Sequence, residues 1–137
     1  MREVAFAAAY LDPESNDLIK ALGLEKEDFH LTTCLDLSGS ILDIPQYGFQ
    51  PKTAVVKAVT EWPVRGGVYI VAEMEDCDWS FYINSVLKGY GAVEERPHNP
   101  HVTLLKVDAV GKSHMYQSLV GQKFKFNRHV IKRKKID

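Results

Sequence analysis

His30-Leu31-Thr32 and His101-Val102-Thr103 repeat one pattern: an imidazole and a hydroxyl two positions apart, with an apolar residue between them. Along a strand, residues i and i+2 share a face. In each copy the His and Thr therefore point one way and the apolar residue the other. Two such pairs facing one space suit a phosphodiester. One imidazole can take a proton from an attacking hydroxyl while the other, protonated, gives one to the leaving oxygen. The ordinary histidine pKa of about 6.5 allows one neutral and one charged ring near neutral pH. The two threonine hydroxyls can donate to the non-bridging phosphate oxygens. No step of this chemistry calls for a metal or a cofactor. The sequence offers no metal cluster either, since nothing acidic lies near His101 in the chain.

The elements around these figures can be read from the hydrophobic pattern. Val4 to Leu11 is apolar on both faces, as in a central strand. Asp12-Pro13-Glu14 starts a helix that Gly23 ends. A strand over about 29–37 carries the first figure, with Phe29, Leu31, Thr33, Leu35 and Leu37 on its buried face and Cys34 on the face of His30 and Thr32. Gly39, Pro45, Gly48 and Pro51 make 38–51 an irregular loop. Strands over 53–60 and 68–74 form a hairpin, with Pro63 and Gly66-Gly67 at its turn. Asp76 or Asp78 caps a helix whose stripe is Trp79, Ile83, Val86, Leu87 and Tyr90. The second figure opens a strand over about 101–107. A short helix (about 112–120) and a strand (about 123–132) close the chain. Strand, helix, loop and an H-x-T strand thus occur twice in order, without repeating in sequence.

The chain has 137 residues, a length that suits one compact domain or two small lobes around one core. Its formal charge is −1, too weak for a general coat on duplex DNA. That average conceals a basic end. Residues 123–137 hold seven of the 17 Lys and Arg and one acid, a local +6 against −7 for the rest. No apolar run approaches the length of a membrane span, and the start does not read as a signal peptide. Two cysteines, Cys34 and Cys77, without a CxxC, fit a reducing cytoplasm better than a disulfide framework.

With its two H-x-T figures and Pro100 just before the second, the chain resembles the two-histidine (2H) phosphoesterase superfamily. That superfamily includes LigT-like RNA cyclic phosphodiesterases and phage anti-CBASS nucleases. The resemblance implies a single bilobal α+β domain over 1–137, with two antiparallel sheets flanking a cleft and helices outside. It gives catalytic roles to His30, Thr32, His101 and Thr103. The compact length, Tyr10 at the end of the first strand and a C-terminal segment able to cover the site look more like the anti-CBASS branch. The substrate class is then a cyclic oligonucleotide messenger. The alternatives are an RNA 2′,3′-cyclic phosphate and a nucleotide- or RNA-binding module without turnover.

Several further residues are candidates for holding such a substrate. Tyr10 either stacks on a base or packs as a core aromatic. Tyr47 and Phe49 either line a base pocket or anchor their loop. Lys123, Lys125 and Arg128, followed by Lys132 to Lys135, offer local attraction for an anionic nucleotide, or simply protect a terminal strand. Trp62 reads as turn packing and Trp79 as core. His98 and His114 read as surface residues, and His129 as a weak phosphate contact.

Overall fold

The computed structural model describes residues 2–26, 28–45 and 48–136. Six strands run β1 (Arg2–Leu11), β2 (His30–Asp36), β3 (Lys52–Val64), β4 (Gly67–Glu75), β5 (His101–Val107) and β6 (Lys123–Ile136). Two α-helices, α1 (Pro13–Lys20) and α2 (Asp78–Gly89), and 3₁₀ segments at Ser40–Asp43 and Ser113–Leu119 complete the described elements. All strand pairs are antiparallel. The α+β class is as anticipated, and β6-β1-β2 and β3-β4-β5 are the two halves of its strand set. They are not separate walls, however. Their edges meet, and the order closes as β1-β2-β5-β4-β3-β6.

The two junctions differ. β3 and β6 share four register pairs, from Lys52↔Phe126 to Val55↔Lys123. β2 and β5 share only Leu31↔Val102. Those two residues are the apolar centres of the two H-x-T figures, and both are 0% exposed.

The main core lies on the face to which Leu31 and Val102 point. It gathers Ala9, Leu11, Phe29, Ile70, Ala72, Leu104, Phe124 and Phe126 with Ile19 of α1 and Tyr116 and Leu119 of the second 3₁₀ segment. Ile83 and Leu87 of α2 pack with Ala5, Ala7, Cys34 and Ile41. Both helices thus cover the side of the sheets away from the H-x-T side chains. Asp12 caps α1 by accepting from the Ser15 amide at 2.8 Å. For α2 the cap position is Cys77, without a side-chain cap bond, so neither Asp76 nor Asp78 caps it.

A bulge in β2 overturns part of the face assignment. Ala7 pairs with Cys34 and Ala8 with Thr32, so Thr33 is an extra residue. One extra residue shifts the alternation by one. His30 and Thr32 lie on one face before it, whereas Cys34 turns into the core and Leu35 and Leu37 turn toward the H-x-T side. Side chains of α2 and the following loop secure the bulge. The Thr33 carbonyl accepts from Asn84 Nδ2 at 2.8 Å, and the Leu35 amide donates to Glu94 Oε2 at 3.2 Å. Thr33 Oγ1 donates to the Ala7 carbonyl at 3.2 Å and lies 2.8 Å from His129 Nε2.

The β3–β4 hairpin is longer than its alternation suggests. Pro63 belongs to β3 and pairs with Val68, so the turn falls at Arg65-Gly66. β3 pairs with β6 only over Lys52–Val55, which leaves its far side free at Pro63 and tolerant of the missing amide hydrogen. Gly67 is required at the turn exit, because a Cβ there would sit 2.6 Å from the Val107 carbonyl oxygen. The loop over 38–51 contains the 3₁₀ turn Ser40–Asp43, and the final strand runs to Ile136 rather than stopping near 132.

Candidate active site

The Leu31↔Val102 pair fixes the relation between the two figures. In antiparallel register, His30 then stands across from Thr103, and Thr32 from His101. All four side chains project opposite to the buried Leu31 and Val102. Side chains directly opposite have Cβ atoms about 4.5–5.5 Å apart and diagonal neighbours about 7–8 Å. The two imidazoles are thus diagonal neighbours across the β2–β5 junction. Two adjoining cavities open here. One, of about 640 Å³, is lined by Thr32, Trp62, His98 and His101 among others. The other, of about 570 Å³, is lined by His30, Thr32, Thr103, Tyr69 and Lys134 among others. Thr32 borders both.

The histidines are held in the same way. His30 Nδ1 lies 2.9 Å from the Asp28 carbonyl, and His101 Nδ1 lies 2.7 Å from the Asn99 carbonyl. A carbonyl only accepts, so each Nδ1 carries the hydrogen and each Nε2 is free for the site. A neutral ring in this tautomer can accept a proton at Nε2, and a charged one can donate from it.

Their electrostatic surroundings differ. Burial lowers the pKa of both rings. Around His30, the Asp28 carbonyl and carboxylate oppose that shift, while the charges of Lys26 and Lys132 add to it. Around His101, the Asn99 carbonyl and the carboxylate of Glu73 oppose it, with no cation among the causes. Glu73 is the cross-strand register partner of His101.

Aromatic rings support both histidines. Phe6 and Tyr10 each place a ring centroid 5.3 Å from that of His30. Tyr10 is buried beside the His30 ring, as its reading as a core aromatic expects. Trp62 lies 4.4 Å from the His101 ring. Sequence reading gave Trp62 only a turn-packing role. Its signal was position: as the partner of Tyr69 on β3 it shares the outward face of Glu73 and, one strand further, of His101 and Thr103.

Other candidates fall elsewhere. Phe49 does not line the site. It stacks 5.7 Å from His129 and packs against Trp79 at the core. Tyr47 lies outside the described residues. Lys123 and Lys125 pair with Val55 and Thr53 at the β3–β6 junction, away from the His30 cluster. A second bulge, at Asn127 between Phe126 and Arg128, separates them from the outer half of β6. In that half, Arg128 lies 4.6 Å over the Tyr10 ring, and Lys132 and Lys134 lie over Phe6 at 5.8 and 5.0 Å.

Two further histidines correct the reading. His129 is buried against Thr33 rather than reaching for phosphate, and burial pushes its pKa down to about 4. His98 is not a free surface residue. Its ring meets Phe81 edge-on at 4.8 Å, and its Nε2 lies 3.1 Å from Ser80 Oγ. Among the described residues, no group of three or more His, Cys, Asp or Glu side chains is arranged to hold a metal ion. No described helix is long and apolar enough to cross a membrane.

No family model matches the sequence, and no curated protein is similar to it in sequence. Similarity emerges in three dimensions. The chain superposes on the structure of Kluyveromyces marxianus Usb1 with a TM-score of 0.56 and 8% identity, covering 95% of this chain and 92% of that one. At such identity, what the two chains share is architecture, and that architecture is the 2H phosphoesterase fold.

Proposed function

We propose that the chain is a phosphodiesterase that cleaves a ribonucleotide phosphodiester by acid–base catalysis between His30 and His101, with cyclic oligonucleotide messengers of the anti-CBASS kind as its substrates. The observation that carries this reading is the single Leu31↔Val102 pair, which sets His30 beside Thr103 and Thr32 beside His101 on one face. The shared fold supports it.

The surroundings of the two rings support a division of labour. Lys26 and Lys132 favour a neutral His30, which suits the base. Glu73 favours a charged His101, which suits the acid. In the forward step, His30 Nε2 takes the proton of the ribose 2′-hydroxyl. The 2′ oxygen forms a bond to phosphorus, the bond from phosphorus to the 5′ oxygen breaks, and His101 Nε2–H protonates that oxygen. The products are a 2′,3′-cyclic phosphate and a free 5′-hydroxyl. Thr32 and Thr103 donate to the non-bridging oxygens, where charge builds in the transition state.

The test is incubation with cyclic di- and trinucleotides, and with RNA ending in a 2′,3′-cyclic phosphate, in the presence of EDTA, followed by chromatography. Linearised cyclic nucleotide is the expected product, absent with His30→Ala or His101→Ala. Cleavage of the RNA end alone would move the substrate to that class. Binding without turnover would overturn catalysis, and loss of activity in EDTA would overturn a metal-free mechanism.

A further inference from the structure

The outer half of β6 carries an arrangement that the cleavage step does not use. Beyond the Asn127 bulge, Arg128, Val130, Lys132 and Lys134 alternate onto the face that bears Phe6 and Tyr10. Arg128 sits 4.6 Å from the Tyr10 centroid. Lys132 lies 5.6 Å from Tyr10 and 5.8 Å from Phe6, and Lys134 lies 5.0 Å from Phe6. The same two rings support His30. Three cations and one imidazole therefore share two aromatic supports, and Lys134 borders the cavity of His30 and Thr103.

The opposite face of the strand is different. There Arg133 is paired with Glu3 at 3.2 Å. Among the described residues, no carboxylate pairs with Arg128, Lys132 or Lys134. Three neighbouring like charges repel one another; among the described residues none of the three is in an ion pair, and Glu25 is the acid that lines the cavity Lys134 borders. The aromatic faces compensate in part, since a cation is attracted to the negative face of a ring. Their positioning leaves the donors of one guanidinium and two ammonium groups free for an anion.

We infer that Arg128, Lys132 and Lys134, supported by Phe6 and Tyr10, form a second phosphate subsite, so that the preferred substrate carries a phosphate beyond the one cleaved. This inference rests on the proposed phosphodiesterase reading and narrows its substrate class. A nucleoside 2′,3′-cyclic phosphate has one phosphate and leaves the ladder empty. A cyclic dinucleotide has two and a cyclic trinucleotide three, so they can occupy the catalytic face and the ladder together.

The experiment compares the dinucleoside monophosphate ApA, its terminally phosphorylated forms pApA and ApAp, and a cyclic diadenylate. Cleavage is followed by the wild type and by the Lys132→Gln/Lys134→Gln variant. Binding of the same four nucleotides is measured by calorimetry in the His30→Ala/His101→Ala background, with and without the lysine changes. The cyclic diadenylate and one of the phosphorylated forms are expected to bind more tightly than ApA. The lysine changes should weaken them about tenfold more than they weaken ApA, as fits lost charge-assisted hydrogen bonds to a phosphate. An equal loss for all four ligands would overturn the subsite and leave only a general field. Absence of cleavage in the wild type, with the lysine-dependent preference intact in binding, would overturn the phosphodiesterase reading and leave the subsite standing. Folding of the lysine variant is checked by its thermal transition.

Discussion

Leu31 of β2 and Val102 of β5 stand opposite each other, both fully buried, as the one register pair joining those strands. Their side chains belong to the core, while the residues on either side of each belong to the proposed site. Packing and chemistry thus meet in the same two tripeptides.

Shortening Leu31 to Ala removes buried volume at that junction. Large-to-small core changes of this kind cost about 2–5 kcal/mol. The melting temperature should fall accordingly, and activity at low temperature should fall with it because the junction loosens. Thermal denaturation read beside turnover checks this. A destabilised variant with full activity would show that the pair does not set the site.

His30→Ala and His101→Ala should each lower kcat by about 10²–10⁴, the usual contribution of a positioned acid or base. KM should change little. The double variant should fall well short of the product of the single losses, because the two rings act as one unit. Steady-state kinetics on one substrate decides it.

Activity should follow a bell against pH. Its acidic limb reports the base becoming protonated, and its basic limb reports the acid losing its proton. Burial lowers the His101 pKa and Glu73 opposes that shift in part, so Glu73→Gln should move the basic limb to lower pH and leave the acidic limb in place. Movement of the acidic limb instead would reverse the roles of the two rings.

Acid should destabilise the fold through His129. Its native pKa of about 4 lies below the ordinary 6.5, so the unfolded chain binds the proton first as pH falls. The neutral ring's contribution is complete above pH 6.5 and is lost progressively down to about 4. At about 1.4 kcal/mol per unit, the loss is on the order of 3 kcal/mol. Burial lowers the pKa of His30, His98 and His101 as well, with the same sign. Denaturant titrations at pH 7 and pH 5 check the trend, and His129→Gln should flatten it.

Trp62 packs on the His101 ring, and an aromatic pair of this kind is worth about 0.5–1.5 kcal/mol beyond its area. Trp62→Ala should therefore lower kcat/KM by about threefold to tenfold, whereas Trp62→Phe should recover part of the loss.

The sequence was most legible where strand alternation is local. His30 with Thr32, and His101 with Thr103, share a face because no irregularity separates the members of either pair. The register between the two strands was not legible, because it depends on how distant sheets close. Nor was the bulge at Thr33. Leu31, Thr33, Leu35 and Leu37 alternate without a break, and only the pairing with Ala7 and Ala8 and the bonds from Asn84 and Glu94 make Thr33 an extra residue. The Asn127 bulge similarly separated Lys123 and Lys125 from Arg128, although all three look continuous in the basic strip. Trp62 was missed because its contact with His101 reaches across β4, over a distance that a reading of neighbouring residues cannot see.

Each sheet contributes one histidine and one threonine, yet the cross-strand neighbours are mixed, each imidazole facing the hydroxyl of the other sheet. Neither sheet alone contains a working half. The smallest unit that assembles the proposed site is the closed ring of six strands, and its closure at β2–β5 rests on one pair. Conditions that part that edge would silence the protein before most of its secondary structure melts. Loss of turnover on heating should therefore precede, or at latest coincide with, the loss of its circular dichroism.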